Sequence, residues 1–352
     1  MQDSLTSHAN LKSNVERACS DLRFSSDLDM IQALRLLSNA RRVIVSSHAS
    51  PDPDAYASSV GLAYGLKSIG KEVSCINYSG VIPQLSYLPL VNEVIVKDPL
   101  LEPDLIVITD CAKISGLGRE LSSFSPEGVK VLNLDHHLGS NSRYGDVNIV
   151  SSDVSCASEL IYVILRDLGV RFDSQLATLL LAGIYNDTLS LQKLVRSPET
   201  FQIVKELFSH GADLERFVDQ MYRSNPITLA KFKGELLSQI ETRCNGRYLP
   251  IVIDESKLPS LGLSELDLAP LKNLPLEVQG VVIGAFIRLD RNLCKVSLRS
   301  KGSVSAQRVS EKFNGAGHFN AAGLAWKGPV EELLPKLEAA ILEELEICDD
   351  LG

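Results

Sequence analysis

Three short apolar runs each end abruptly in an acid or an imidazole. Val43-Ile44-Val45 leads through Ser46-Ser47 into His48-Ala-Ser-Pro-Asp52-Pro-Asp54. Asp104 to Thr109 leads into Asp110, and Val129 to Leu134 leads into Asp135-His136-His137. Runs this short and rich in β-branched residues, with helical patterns between some of them, predict an α/β fold built on a parallel sheet with helices on both faces. In such sheets ligands bind outside the carboxyl ends of the strands, so all three polar endings converge on one rim. Asp187, at the end of a predicted helix over residues 174–185, is a fourth contributor.

Length and pattern divide the chain. At roughly 100–200 residues per domain, 352 residues predict two. A polar leader occupies residues 1–27, a catalytic domain 28–215, a linker helix 216–244 and a smaller α+β domain 245–352. The active site is expected in the cleft between the two domains. The second domain reads as strands at 248–254, 278–289 and 293–299, a glycine-rich loop at 314–323 and a helix at 330–347. Gly65 to Lys71 nearly spells a phosphate-binding P-loop, but Glu72 replaces its Ser/Thr and the segment closes a helix instead of opening one.

With Lys plus Arg 35 and Asp plus Glu 44, the net charge is 35 − 44 = −9. That argues against neutralising the phosphates of a long duplex, although a small anion held by metal ions or a local basic pocket fits. The seven cysteines are scattered, odd in number and without a CxxC, which predicts reduced thiols and no thiolate zinc site. No apolar run reaches the ~18–20 residues of a membrane span, and the N-terminus lacks the apolar core of a signal peptide. The expectation is a cytoplasmic protein with no membrane partner.

Each acid has an ordinary alternative role. A lone Asp after a strand commonly makes a turn or caps a helix. The group as a whole is harder to explain that way, because crowded carboxylates repel one another unless a cation neutralises them. Carboxylates mixed with imidazoles and no thiolate suit Mn²⁺ first, then Mg²⁺ or Co²⁺. The ligands outnumber the needs of one ion. Two ions sharing a carboxylate would use them all, and such a pair suits hydrolysis of phosphate esters. In the second domain, the glycines at 315 and 317 let backbone amides approach an anion, and Arg299 can bind phosphate through two parallel bonds. A tight turn is the competing reading of those glycines.

HASPDPDA at 48–55, Asp110 after VIT, LDHH at 134–137, the Asp of YNDT at 185–188 and GAGHFNAAG at 315–323 resemble the DHH phosphoesterases. The resemblance is to the branch with a DHH-associated C-terminal domain of the first type, nearest the NrnA-like nanoRNase/pAp-phosphatase group. It implies that His48, Asp52 and Asp110 hold one Mn²⁺, and that Asp54, Asp110, His136 and Asp187 hold a second. Asp110, His136 and His137 would be the catalytic residues, with His137 facing the substrate phosphate and Asp135 orienting the histidines from behind. Arg299, Ser300, Gly315, Gly317 and His318 would grip the substrate.

The implied activity is hydrolysis of very short oligoribonucleotides, of pAp as a 3′(2′),5′-bisphosphate nucleotidase, or of signalling dinucleotides, with a homodimer as the candidate assembly. Alternatives are a cyclic-dinucleotide phosphodiesterase, a RecJ-type single-strand exonuclease and a nucleotide-binding regulator without turnover. Leu189-Ser190-Leu191 and Ala316 depart from the family pattern, which carries Gly and an aromatic after Asp-Thr and an unbroken glycine run before the histidine.

Overall fold

In the computed structural model, residues 27–96, 102–118, 128–137, 142–151, 153–191 and 198–350 are described. The expected leader lies outside them apart from its last residue. The chain divides into two compact units, Met1–Arg223 and Ser224–Gly352.

The first unit carries six parallel strands: β1 (Arg42–Ser46), β2 (Glu72–Ile76), β3 (Ile95–Val96), β4 (Leu105–Thr109), β5 (Lys130–Asp135) and β6 (Val147–Val150). Their order is β3-β2-β1-β4-β5-β6. The strand order reverses direction between β1 and β4, which is where a doubly wound sheet opens its ligand crevice. Among the described residues the unit also has the α-helices α1 (Asp27–Asn39), α2 (Pro53–Ser68), α3 (Val91–Val94), α4 (Ala157–Asp167), α5 (Ser174–Asp187), α6 (Glu199–Ser209) and α7 (Leu214–Tyr222).

Alternation along the strands sorts the core into two layers. Val43, Val45, Leu105, Val107, Leu132 and Leu134 face one way and meet buried residues of α1, α2, α4 and α5. Ile44, Ile76, Ile106 and Ile108 face the other way, with Cys111 and Leu117. Every residue of β4 is buried, as a central parallel strand requires. Gly65 lies inside α2, where a Cβ would stand 2.5 Å from Leu165 Cδ2, so it serves helix packing and the P-loop likeness is incidental.

The second unit has α8 (Ile227–Ser238), a mixed sheet of β7 (Tyr248–Asp254), β8 (Ile283–Asp290), β9 (Leu293–Ser300), β10 (Ala316–His318) and β11 (Ala321–Lys327), then α9 (Ala306–Glu311) and α10 (Val330–Asp350). Sheet order is β10-β11-β9-β8-β7, with β7 and β8 parallel and the other pairs antiparallel. Where a single linker helix over 216–244 was expected, α7 and α8 are separate. Pro226 lacks the amide to continue a helix and disfavours helical backbone at Asn225. Leu229 and Phe232 of α8 are buried with Leu249, Ile251 and Phe286, so this helix belongs to the second core.

The expected glycine-rich loop is a hairpin, with Ala316 opposite Gly323 and His318 opposite Ala321. A Cβ at Gly315 would lie 2.1 Å from Ser310 Oγ, and one at Gly317 would lie 2.4 Å from Ala322 Cα. Close packing of the hairpin therefore demands both glycines. Among the described residues, no helix is long and apolar enough to cross a membrane.

Candidate metal centre

The three strand ends meet as the sheet topology requires. Asp110 directly follows β4 and sits between the endings of β1 and β5. Its amide donates to Leu134 O at 3.0 Å, and its backbone then turns left-handed (φ 50°), a conformation that short polar residues tolerate best. The turn leaves its carboxylate buried, at 2 % exposure. Oδ2 stands 3.6 Å from His48 Nε2, while Oδ1 stands 3.4 Å from His136 Nε2 and 3.5 Å from His137 Nδ1. One carboxylate thus presents a different oxygen to each side of the rim.

Two further acids come from the start of α2. Asp52 is its N-cap and accepts from the Ala55 amide at 3.0 Å, with Pro53 in the first helical turn. The capping role therefore holds, and the same carboxylate lies 4.0 Å from His48 Nε2. Asp54, two residues on in the first turn of the helix, is fully buried. Asp187 closes α5 and stands 3.4 Å from His136 Nε2. Potential ligand atoms of His48, Asp52 and Asp110 lie within 4.8 Å of one another, as do those of Asp54, His136 and Asp187.

Asp135 works from behind. Its Oδ1 accepts from the amides of His136 at 2.8 Å and His137 at 3.2 Å, and meets His137 Nδ1 at 2.8 Å. This is the carboxylate–imidazole pairing that fixes ring orientation beside metals.

The electrostatics describe a site built for added positive charge. Burial, followed by the charge of Asp110, pushes Asp54 up to about 7. Burial and neighbouring carboxylates also raise Asp52 and Asp187. Burial works against charge on the two imidazoles, but contact with Asp110 and the surrounding acids outweighs it, lifting His48 to about 9 and His136 to about 10. Asp110 itself moves the other way: burial opposes its charge, and contacts with His136 and His48 overcome that.

Asp110 Oδ1 and His136 Nε2 are both buried without a hydrogen-bond partner. Buried polar atoms are normally satisfied, and a cation among them would satisfy these two. The donors are carboxylate oxygens and imidazole nitrogens, which fit divalent ions of the Mn²⁺, Mg²⁺ and Co²⁺ type.

The second-unit residues differ in character. Ser300 Oγ is buried and already donates to Val304 O at 2.7 Å while accepting from Asn320 Nδ2 at 3.1 Å and the Ala306 amide at 3.3 Å. It shapes the turn after β9 and has nothing left for a substrate, contrary to the expectation from the family pattern. Arg299 is half-buried, donates to Leu298 O at 2.9 Å and has no carboxylate partner among the described residues. Burial alone lowers its pKa.

Two features escaped the sequence reading. Ala157 and Ser158, at the start of α4, hydrogen-bond Asp54 across more than a hundred residues. Asn77, after β2, donates to Ser47 Oγ at 3.2 Å and His48 O at 2.9 Å, tying down the histidine loop. The apolar spacing does predict a helix starting near Cys156, but nothing local names Asp54 as the partner of its first amides.

A parallel sheet with this rim of acids and imidazoles, followed by a separate mixed-sheet unit, is the architecture of one class of phosphoester hydrolase. Residues 42–184 match the DHH family, N-terminal domain, and residues 260–346 match the DHHA1 domain. The chain is 31% identical over 309 residues to the bifunctional oligoribonuclease and PAP phosphatase NrnA of Thermus thermophilus, covering 86% of this chain and 90% of that protein. It is 26% identical over 295 residues to the Bacillus subtilis protein of the same name, covering 83% and 91%. The crystal structure of an exopolyphosphatase-related protein from Bacteroides fragilis shares the fold, with TM-score 0.84 at 24% identity over 92% of this chain and 98% of that one. The chain belongs to the DHH family of phosphoesterases.

Proposed function

We propose that this protein is a Mn²⁺-dependent hydrolase of very short oligoribonucleotides and of pAp. The observation that carries the reading is Asp110, with one oxygen toward His48 and the other toward His136. A buried carboxylate facing two ligand sets suits a bridge between two ions. His48, Asp52 and Asp110 would hold one ion, and Asp54, Asp110, His136 and Asp187 the other. Two such ions supply positive charge against the negative charge that builds on a phosphoryl group during hydrolysis. The chain's own residues do the placing. Asp135 holds the backbone amides of both histidines and the ring of His137, which, held at Nδ1, would turn its other edge to the substrate phosphate.

The 31%-identical relative is named for both proposed substrates, which supports carrying them to this chain. The net charge of −9 favours a small anion bound locally over a long strand. Arg299, without a carboxylate partner among the described residues, is the proposed contact for the remainder of the nucleotide. The Ser300 hydroxyl is taken up by the turn after β9, and Gly315 and Gly317 serve the hairpin that carries His318.

The test is a substrate panel in Mn²⁺: dinucleotide, trinucleotide, long RNA, pAp, cyclic dinucleotides and pyrophosphate. Highest kcat/KM on the shortest RNAs and pAp is expected. Preference for pyrophosphate or for long single strands would overturn the assignment.

A further inference from the structure

Helix α4 begins without a side chain of its own to close its first turn. Cys156 is the N-cap in extended backbone and gives no capping hydrogen bond. Ala157 and Ser158 have no exposure, so water cannot serve their amides. The missing acceptor comes from α2. Asp54 Oδ2 accepts from the Ala157 amide at 2.8 Å, and Oδ1 accepts from the Ser158 amide at 2.9 Å. The Ser158 hydroxyl donates to the same Oδ1.

An ionised carboxylate has about four lone-pair sites. The three donors of α4 fill two on Oδ1 and one on Oδ2. A single site on Oδ2 remains, on a side chain that also stands with His136 and Asp187. The arrangement is closed from the third side by α5. A Cβ at Gly183 would lie 2.1 Å from Ser158 Oγ, 2.8 Å from Asp54 Oδ1 and 2.8 Å from Ala57 Cβ. Only a glycine lets α5 approach the serine–carboxylate pair this closely.

We propose that Ser158 is a positioning residue for metal binding. With the two amides of α4, its hydroxyl fixes Asp54 so that one oxygen, Oδ2, is presented to the ion shared with His136 and Asp187. This rests on the reading of Asp54 as a ligand. It goes further, because it makes the ion's ligand geometry a property of the start of α4, which supplies no ligand itself. The carboxylate cannot rotate to offer both oxygens without abandoning α4, and the close approach of α5 at Gly183 leaves no room for a side chain beside the pair.

The experiment is calorimetric titration of the metal-free chain with Mn²⁺ alone, with thermal melting of the same samples. Ser158→Ala keeps both amide contacts and removes only the hydroxyl. It is expected to weaken one class of Mn²⁺ site about 10–100-fold, the usual effect of losing a group that orients a ligand, and to leave the other class near wild type. Ser158→Thr retains the hydroxyl and should restore the lost class. Gly183→Ala keeps Ser158 but pushes its hydroxyl from the opposite side, and should weaken the same class.

Unchanged affinities in both Ser158→Ala and Gly183→Ala would overturn the proposal. Equal weakening of both classes, with a lowered melting temperature and no rescue by Ser158→Thr, would also overturn it by reducing Ser158 to a packing residue. Wild-type protein binding a single Mn²⁺ would fail differently, by removing the two-ion reading beneath it.

Discussion

Asp110→Asn isolates the carboxylate that faces both His48 and His136. Asparagine has the same shape and accepts left-handed backbone as readily as aspartate, so the φ of 50° and the amide bond to Leu134 O should persist. One buried charge is lost. His48 at 3.6 Å and His136 at 3.4 Å lose an anionic partner, while Asp52, Asp54 and Asp187 lose a repelling neighbour. These effects oppose each other, so stability of the metal-free protein should change by no more than on the order of 1 kcal/mol. Activity is expected to have no such compensation, because both proposed ligand sets lose the same group. A fall of at least ~1,000-fold is expected, equivalent to about 4 kcal/mol in the barrier. The assay is hydrolysis of bis-p-nitrophenyl phosphate in Mn²⁺, paired with urea denaturation. A folded variant keeping more than about a tenth of wild-type activity, a barrier change below ~1.4 kcal/mol, would refute the bridging role.

Asp54→Ala should behave differently, because it strands the buried amides of Ala157 and Ser158. Loss of about 2 kcal/mol is expected in urea denaturation of the metal-free chain, and an unchanged midpoint would contradict the capping role. Leu189, Ser190 and Leu191 run left-handed in succession at φ 48°, 64° and 61°. Leu189→Gly should therefore raise stability by about 0.5–1 kcal/mol, the left-handed penalty less the greater chain entropy of glycine, and a lowered melting temperature would oppose that. Arg299→Ala should lower kcat/KM on pAp and short RNA far more than on bis-p-nitrophenyl phosphate, with metal content unchanged. Equal loss on every substrate, with less bound metal, would assign Arg299 to support of the fold.

How legible the molecule was in its sequence depended on the range of the interaction. Helix α1 at Asp27–Asn39 and strand β7 at Tyr248–Asp254 fall where the apolar spacing puts them, because local periodicity decides both. The strand endings at His48, Asp110 and His136 were readable for the same reason, since each acid or imidazole lies within three residues of the end of an apolar run. The short edge strands β3 and β6 gave no such pattern. β8 begins at Ile283 instead of Val278 because the chain first turns at Gly280, with φ 87°. The pairing of Asp54 with Ala157 and Ser158 spans 103 and 104 residues and has no local signature. Gly183 looks like an ordinary helix glycine until α5 is placed against the pair. Chemistry that sits at strand ends was therefore visible, and the contacts that hold it in position were not.

The most direct test follows pAp and trinucleotide hydrolysis while Mn²⁺ is returned stepwise to chelated protein, with bound metal counted in the same samples. Hydrolysis with two ions predicts no turnover without metal and activity that continues to rise as a second ion binds each chain. Full turnover in the metal-free sample, or saturation with one ion bound per chain, would contradict it.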